Sequence, residues 1–241
     1  MNLLILRTNI KNSLYEDGVH RADSFLNTAI NEGYKLLSVM ALFDERRTTL
    51  RIDGSRNFNA LPTDSSAECL APLYVANTHT GHRVNPARVQ DFELYSDAWE
   101  GLVASSGDAL YYTLLNPYHS AMSCIVLCPI QNIGITKLSI IGAFIPLSLS
   151  ADTDIPRLAE QFHDILFHYA LFYCYTSEPE MGTRAFDEYK EFVSRTNELI
   201  SSIKARFPSG RDFEPWPVEF SLETITAQEQ QPPKQETKNE G

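Results

Sequence analysis

Two apolar runs, residues 124–130 and 138–147, constrain the fold more than any other part of the chain. A short polar connection joins them, and a helix-like segment ending near Tyr175 follows. Both runs are rich in Ile and Val and bounded by turn-forming residues, which predicts two strands closing as a hairpin. The first run is apolar at nearly every position, so both faces of that strand should be covered. Asp152, Thr153 and Asp154 offer side-chain caps and Pro156 suits a first turn, so a helix is expected from about residue 154 to 175. That helix is apolar on almost all sides. It must be covered on more than one face, with the sheet expected on one of them.

The covering helices are legible on either side of this block. Val19, Ala22, Leu26, Ala29, Gly33 and Leu36 step by three and four, which is one helical seam, with a stop near Gly33 as plausible as continuation. Phe186, Tyr189, Val193, Thr196, Ile200, Ile203 and Phe207 repeat the pattern, with charged residues on the opposite face. The two seams predict a helical bundle of N- and C-terminal helices. Val19, Leu26, Phe186, Tyr189, Val193, Ile200 and Ile203 are the expected interface of a homodimer, the alternative being a monomer in which these helices and the 157–175 helix pack together.

Between the first helix and the apolar runs, residues 37–43 and 48–52 read as short strands with Asp44–Arg47 as their turn. Residues 55–98 are polar and rich in Asn, Ser, Thr and Pro, and read as a long loop or lid, with a short helix at 65–75 and loop at 78–86. Residues 98–104 suggest a helical turn and 109–115 a strand. Residues 1–12 are weakly patterned, either an extra strand or a frayed helix end. The fold class is α+β: an antiparallel sheet flanked by helices, with an extension over 1–18, a domain over 19–176, a coiled-coil-like helix over 184–207 and a tail over 208–241. In the tail, Phe213, Trp216, Val218 and Phe220 are placed to pin the chain on the domain, and disorder is expected from Thr224.

With a formal net charge of −11, the chain lacks the clustered cations that sequence-independent nucleic-acid or anionic-membrane binding needs. No apolar run approaches the ~20 residues of a membrane span. Arg7 and Lys11 follow the apolar start rather than precede it, unlike a secretory signal, so a cytoplasmic location with reduced thiols is expected.

Chemistry-bearing motifs are few. His79 and His82 lie in a polar loop without further ligand types beside them, and His163 and His168 are five apart, so they do not share a helix face. Cys124 and Cys128 point to one side of a strand but sit too far apart for a redox or metal pair, and read as core thiols. No nucleophile elbow, zinc-protease, P-loop or dinucleotide pattern occurs. No metal and no cofactor is expected. The ligand-binding candidates are Trp99, Tyr111, Tyr112, Tyr118, His119 and Cys69, gathered around the strand before the paired runs and beneath the supposed lid.

Several segments resemble a GAF domain in order: GLVASSGDALYY, then SCIVLCPIQN, then LSIIGAFIPLS, then DTDIPRLAEQFHDIL. The resemblance covers about residues 19–176 and implies a GAF/PAS-like sensory or regulatory module. Such a module would be non-catalytic, would bind a small molecule, would be dimeric through its terminal helices and would signal through a partner protein. The Cys-His pair of chromophore-binding members and the Asn-Lys-Phe…Asp-Glu signature of cyclic-nucleotide members are absent. The alternative is a protein-interaction or scaffold protein with no small-molecule ligand. An enzyme using Cys69 or a histidine is the third reading.

Overall fold

The computed structural model describes residues 1–53, 58–61, 63–64, 67–95, 109–115, 124–129, 135–206 and 212. Its α-helices are α1 (Leu3–Glu16), α2 (Asp23–Ala41), α3 (Val89–Tyr95), α4 (Asp164–Tyr175) and α5 (Gly182–Arg206). Its strands are β1 (Glu45–Asp53), β2 (Phe58–Ala60), β3 (Thr63–Asp64), β4 (Ala67–Asn77), β5 (Arg83–Pro86), β6 (Tyr111–Leu115), β7 (Cys124–Cys128) and β8 (Ile135–Ile145). The expected mixed α+β class therefore holds.

Helices α1, α2, α4 and α5 share one core. Leu3, Leu6, Ile10 and Leu14 of α1 meet Leu26, Ile30 and Leu37 of α2, Ile165 and Leu166 of α4, and Phe192 and Leu199 of α5. α4 is covered mainly by α5, α2 and α1, so helices rather than the sheet cover its apolar surface. It begins at Asp164 after a short 3-10 turn over Glu160–Phe162, not at Asp154. Asp154 instead folds the preceding loop, its Oδ2 accepting from the Ser150 and Ala151 amides at 2.7 and 2.8 Å.

Residues 1–12, expected as a strand or frayed helix end, belong to a regular helix. Asn2 caps it by accepting from the Ile5 amide at 2.9 Å. Residues 37–43 do not form a strand, because α2 runs through to Ala41. Nothing after Gly33 breaks its spacing, and Leu37, Ser38 and Ala41 continue the buried face. Gly33 marks close packing and not a stop: a Cβ there would lie 2.6 Å from Cδ1 of Tyr169 on α4. Asp44–Arg47 is not a turn either, since β1 starts at Glu45.

The sheet runs in the order β1-β8-β4-β5-β6-β7-β2, with β3 paired to β4 off this path. β7 and β8 do not form the expected hairpin. β8 lies between β1 and β4, and β7 between β6 and β2. The supposed lid over 55–98 contains β4, a long strand inside the sheet, together with β5 and α3. β4 escapes a reading by alternation because its register shifts at Cys69/Ala71 and again at Pro72/Tyr74, which breaks the period of two. The loop expected at 78–86 ends in β5, and the described part of the helix expected at 65–75, residues 67–75, belongs to β4.

One core lies on the inner side of the whole sheet, built from Leu50 and Ile52 of β1, Leu138, Ile140 and Phe144 of β8, Cys69 and Val75 of β4, Tyr112 of β6, and Ile125 and Leu127 of β7. α3 covers the outer side of β6 and β7, where Phe92 packs on Val126 and Cys128. β7 is thus covered on both faces, as its apolar sequence requires.

Helices and sheet meet at the α2–β1 corner. Leu42 takes a left-handed conformation (φ 49°) to end α2, and its amide donates to the Ser38 carbonyl at 3.0 Å. Two residues on, Asp44 is buried. Its carboxylate accepts from Arg46 at 2.7 and 3.2 Å and lies 3.6 Å from Arg157, while its carbonyl accepts the Phe144 amide of β8.

Candidate functional site

The ligand candidates do not converge on one side of the sheet. Tyr111 and Tyr112 are neighbours on a strand and so face opposite ways. Tyr112 points into the inner core with Cys69, and Tyr111 packs outside against the Phe92 cluster. Trp99, Tyr118 and His119 lie outside the described residues. Cys69 is buried, and desolvation pushes its thiol up to about 12, which leaves almost no thiolate at neutral pH. Its sulfur lies 2.8 Å from where a Cβ on Gly142 would stand, so it is a packing atom.

The histidines and cysteines have structural surroundings. Asn77 Oδ1 accepts from the amides of His79 and Thr80, folding the turn that carries His79 and His82. His163 is engaged at both nitrogens, by the Met1 amine at 2.7 Å and the Leu158 carbonyl at 2.8 Å. His168 Nδ1 lies 2.7 Å from Glu188 Oε2 and ties α4 to α5. Cys124 and Cys128 pack beneath α3. Among the described residues no group of His, Cys, Asp or Glu is placed to hold a metal ion.

The dimer-interface candidates are turned inward. Val19, Leu26 and Ile200 are buried in the helical core of the single chain, and Tyr189, Val193 and Ile203 pack against it, while Phe186 is 38% exposed. α5 presents Phe192 and Leu199 to that core more fully than the seam read from sequence, because the buried line is rotated by about one residue.

One polar constellation stands apart from this packing, and the sequence reading did not single it out. Asp212, beyond α5, is brought back to the sheet. Its amide donates to the Leu73 carbonyl of β4 at 2.8 Å, its Oδ2 accepts from Tyr112 Oη at 2.8 Å, and its Oδ1 accepts from Arg83 Nη2. The carboxylate is 1% exposed. Burial, then the charge of Asp212, hold the Tyr112 phenol far above its ordinary value, so it is a permanent donor. The hydrogen bond to Asp212 likewise raises Arg83, whose guanidinium lies 5.3 Å from the centre of the Tyr74 ring. Beside the anchor is a groove of about 450 Å³ lined by Pro86, Arg88, Asp91, Thr113 and Leu114. Two side-chain donors, on β5 and β6, thus hold the carboxylate, while a carbonyl of β4 accepts the Asp212 amide. That is an attachment point for the chain's C-terminal segment, with no nucleophile or base of suitable reactivity beside it among the described residues. The only sequence signal was Asp212 flanked by Arg211 and Phe213 after a Pro-Gly stretch, which does not reveal a long-range partner.

The family model of the SU10 adaptor protein matches residues 1–212, and the chain belongs to that family. The match ends at the residue that anchors the chain to its sheet. It replaces the GAF resemblance and, with it, the sensory-module reading. The segments that suggested a GAF domain follow a different topology here, with the two apolar strands in separate parts of the sheet. No curated protein matches the chain.

Proposed function

We propose that this chain is a non-catalytic structural adaptor of a phage particle, a subunit that joins other proteins of the assembly. The family match over residues 1–212 carries this reading. It favours the interaction or scaffold alternative over ligand sensing. The architecture suits such a role physically. A helical layer and a sheet layer, each with its own buried core, meet at the Asp44 corner within one chain.

The test is depletion of the chain in the phage that encodes it, followed by electron microscopy of the particles. The expected result is particles that stall or separate at one junction, with the chain present in complete particles by mass spectrometry. Complete, infectious particles lacking the chain would overturn the proposal.

A further inference from the structure

Strand β1 ends the sheet: it pairs with β8 on one side, and among the described residues no strand pairs with its other side. Over residues 47–52 that edge is a template for another strand. Its side chains alternate. Leu50 and Ile52 enter the inner core, while Arg47, Thr49 and Arg51 are exposed. Among the described residues neither Arg47 nor Arg51 has an acidic partner, and Arg47 only donates from Nε to Ser139 Oγ at 3.1 Å.

The sequence beyond the Asp212 anchor holds a complement to this edge. Residues 218–223 read Val-Glu-Phe-Ser-Leu-Glu, strict alternation of apolar and polar residues directly after Pro217. Laid antiparallel on β1, Glu223 falls opposite Arg47, Ser221 opposite Thr49 and Glu219 opposite Arg51. In the same register Leu222, Phe220 and Val218 fall opposite Thr48, Leu50 and Ile52, on the core side. A shift of one residue would set the glutamates against the core side, and a shift of two would keep the faces but take both glutamates off the arginines. Arginines on an open edge discourage unselective pairing and favour an acidic strand.

We propose that residues 218–223 of one copy of this chain add as a strand to the free edge of β1 of a second copy. Reach argues for a second copy. Asp212 is held at Leu73, and Tyr74 lies across β8 from Arg47. From there, the site opposite Ile52 is about 14 Å across three strand spacings and about 16 Å along the strand, or roughly 22 Å in all. Six residues from Asp212 to Val218 span at most about 21 Å when fully extended, with no allowance for passing over the sheet. The proposal goes beyond the adaptor reading and does not depend on it.

Sedimentation velocity of full-length chains tests it. The wild type is expected to self-associate. The variants R47E/R51E and E219R/E223R should each associate about tenfold or more weakly. Mixed with each other, they should form a one-to-one complex, because one keeps a working arm and the other a working edge. The quadruple variant should regain self-association through reversed charges. A monomeric wild type, or paired variants that associate as the wild type does, would overturn the proposal. Recovery in the quadruple variant without complex formation in the mixture would also overturn it, because charge pairing between separate copies requires both. Circular dichroism of each variant, expected to match the wild type, separates lost pairing from lost folding. If both paired variants prove misfolded, S221P provides the same comparison without altering the core, and wild-type association by it would overturn the proposal.

Discussion

The helical layer and the sheet bury similar residues, yet they are closed in different ways. The helices are stapled by charge at their ends. Arg184 on α5 and Tyr175 on α4 both donate to Asp17, Arg21 reaches Glu178 and the Cys174 carbonyl, and Arg195 holds Asp164 at 2.8 Å. The sheet is closed by long ladders and by neutral contacts across its inner face, and its principal buried carboxylates are Asp44, at the β1 corner, and Asp212, where β4, β5 and β6 meet. The helices are specified by local spacing and then locked by pairs between neighbouring elements. The sheet is specified by contacts between residues far apart in sequence, and two anchors fasten it to the rest of the chain.

Substitutions can separate the two modes of closure. The largest effect is expected from Phe192→Ala, which removes a fully buried ring at the centre of the helical layer. It should cost about 3–5 kcal/mol in urea denaturation, with the loss seen first by probes of the helices. Asp44→Ala breaks the corner between the layers and leaves Arg46 without its buried partner. A loss of about 2–3 kcal/mol is expected, together with separate helix and sheet transitions where the wild type shows one; a single transition would mean the layers are coupled elsewhere. Gly33→Ala sets two effects against each other. Helix propensity gains about 1 kcal/mol, but the new methyl meets the base of the Tyr169 ring, so a net loss within about 1–2 kcal/mol is expected. A net gain would show that Tyr169 can move aside.

The smallest effect is a pH response confined to the 150–154 loop. The Ser150 and Ala151 amides, as hydrogen-bond donors, hold the Asp154 carboxyl below its ordinary value of 3.8. Its contribution is therefore complete above that value and is lost as pH falls below it through the lower folded value. An NMR titration should show the Ser150 and Ala151 amides shifting in that acid window. Shifts centred above 3.8 would contradict the hydrogen bonding.

The contrast also explains what could be read from the residues. Helical seams repeat within a few positions, so α2, α4 and α5 were visible, as was the need of α4 for several neighbours. β7 was visible because every residue is apolar. Strand pairing was not visible. β7 and β8 are adjacent in sequence, and their separation into different halves of the sheet depends on β4, whose two register shifts and Pro72 disguise it as a loop. Of the aromatic residues taken for a ligand pocket, Tyr112 and Tyr111 pack in the cores on opposite faces of the sheet. Tyr112 does carry a functional-looking contact, but its partner is Asp212, a hundred residues away. No local pattern encodes that pair.

The parallel pairing of β5 with β6 is brief, confined to Asn85 with Tyr111 and Pro86 with Tyr112, and it joins the β1-β8-β4 block to the β6-β7-β2 block. Asp212 grips Leu73 and Arg83 on one side of that seam and Tyr112 on the other. Tension applied to the chain beyond Asp212 is therefore delivered across the seam rather than along a single strand. In mechanical terms the anchor is a rivet. While the carboxylate holds, both plates carry the load together, and once it is released the force falls on one short parallel joint.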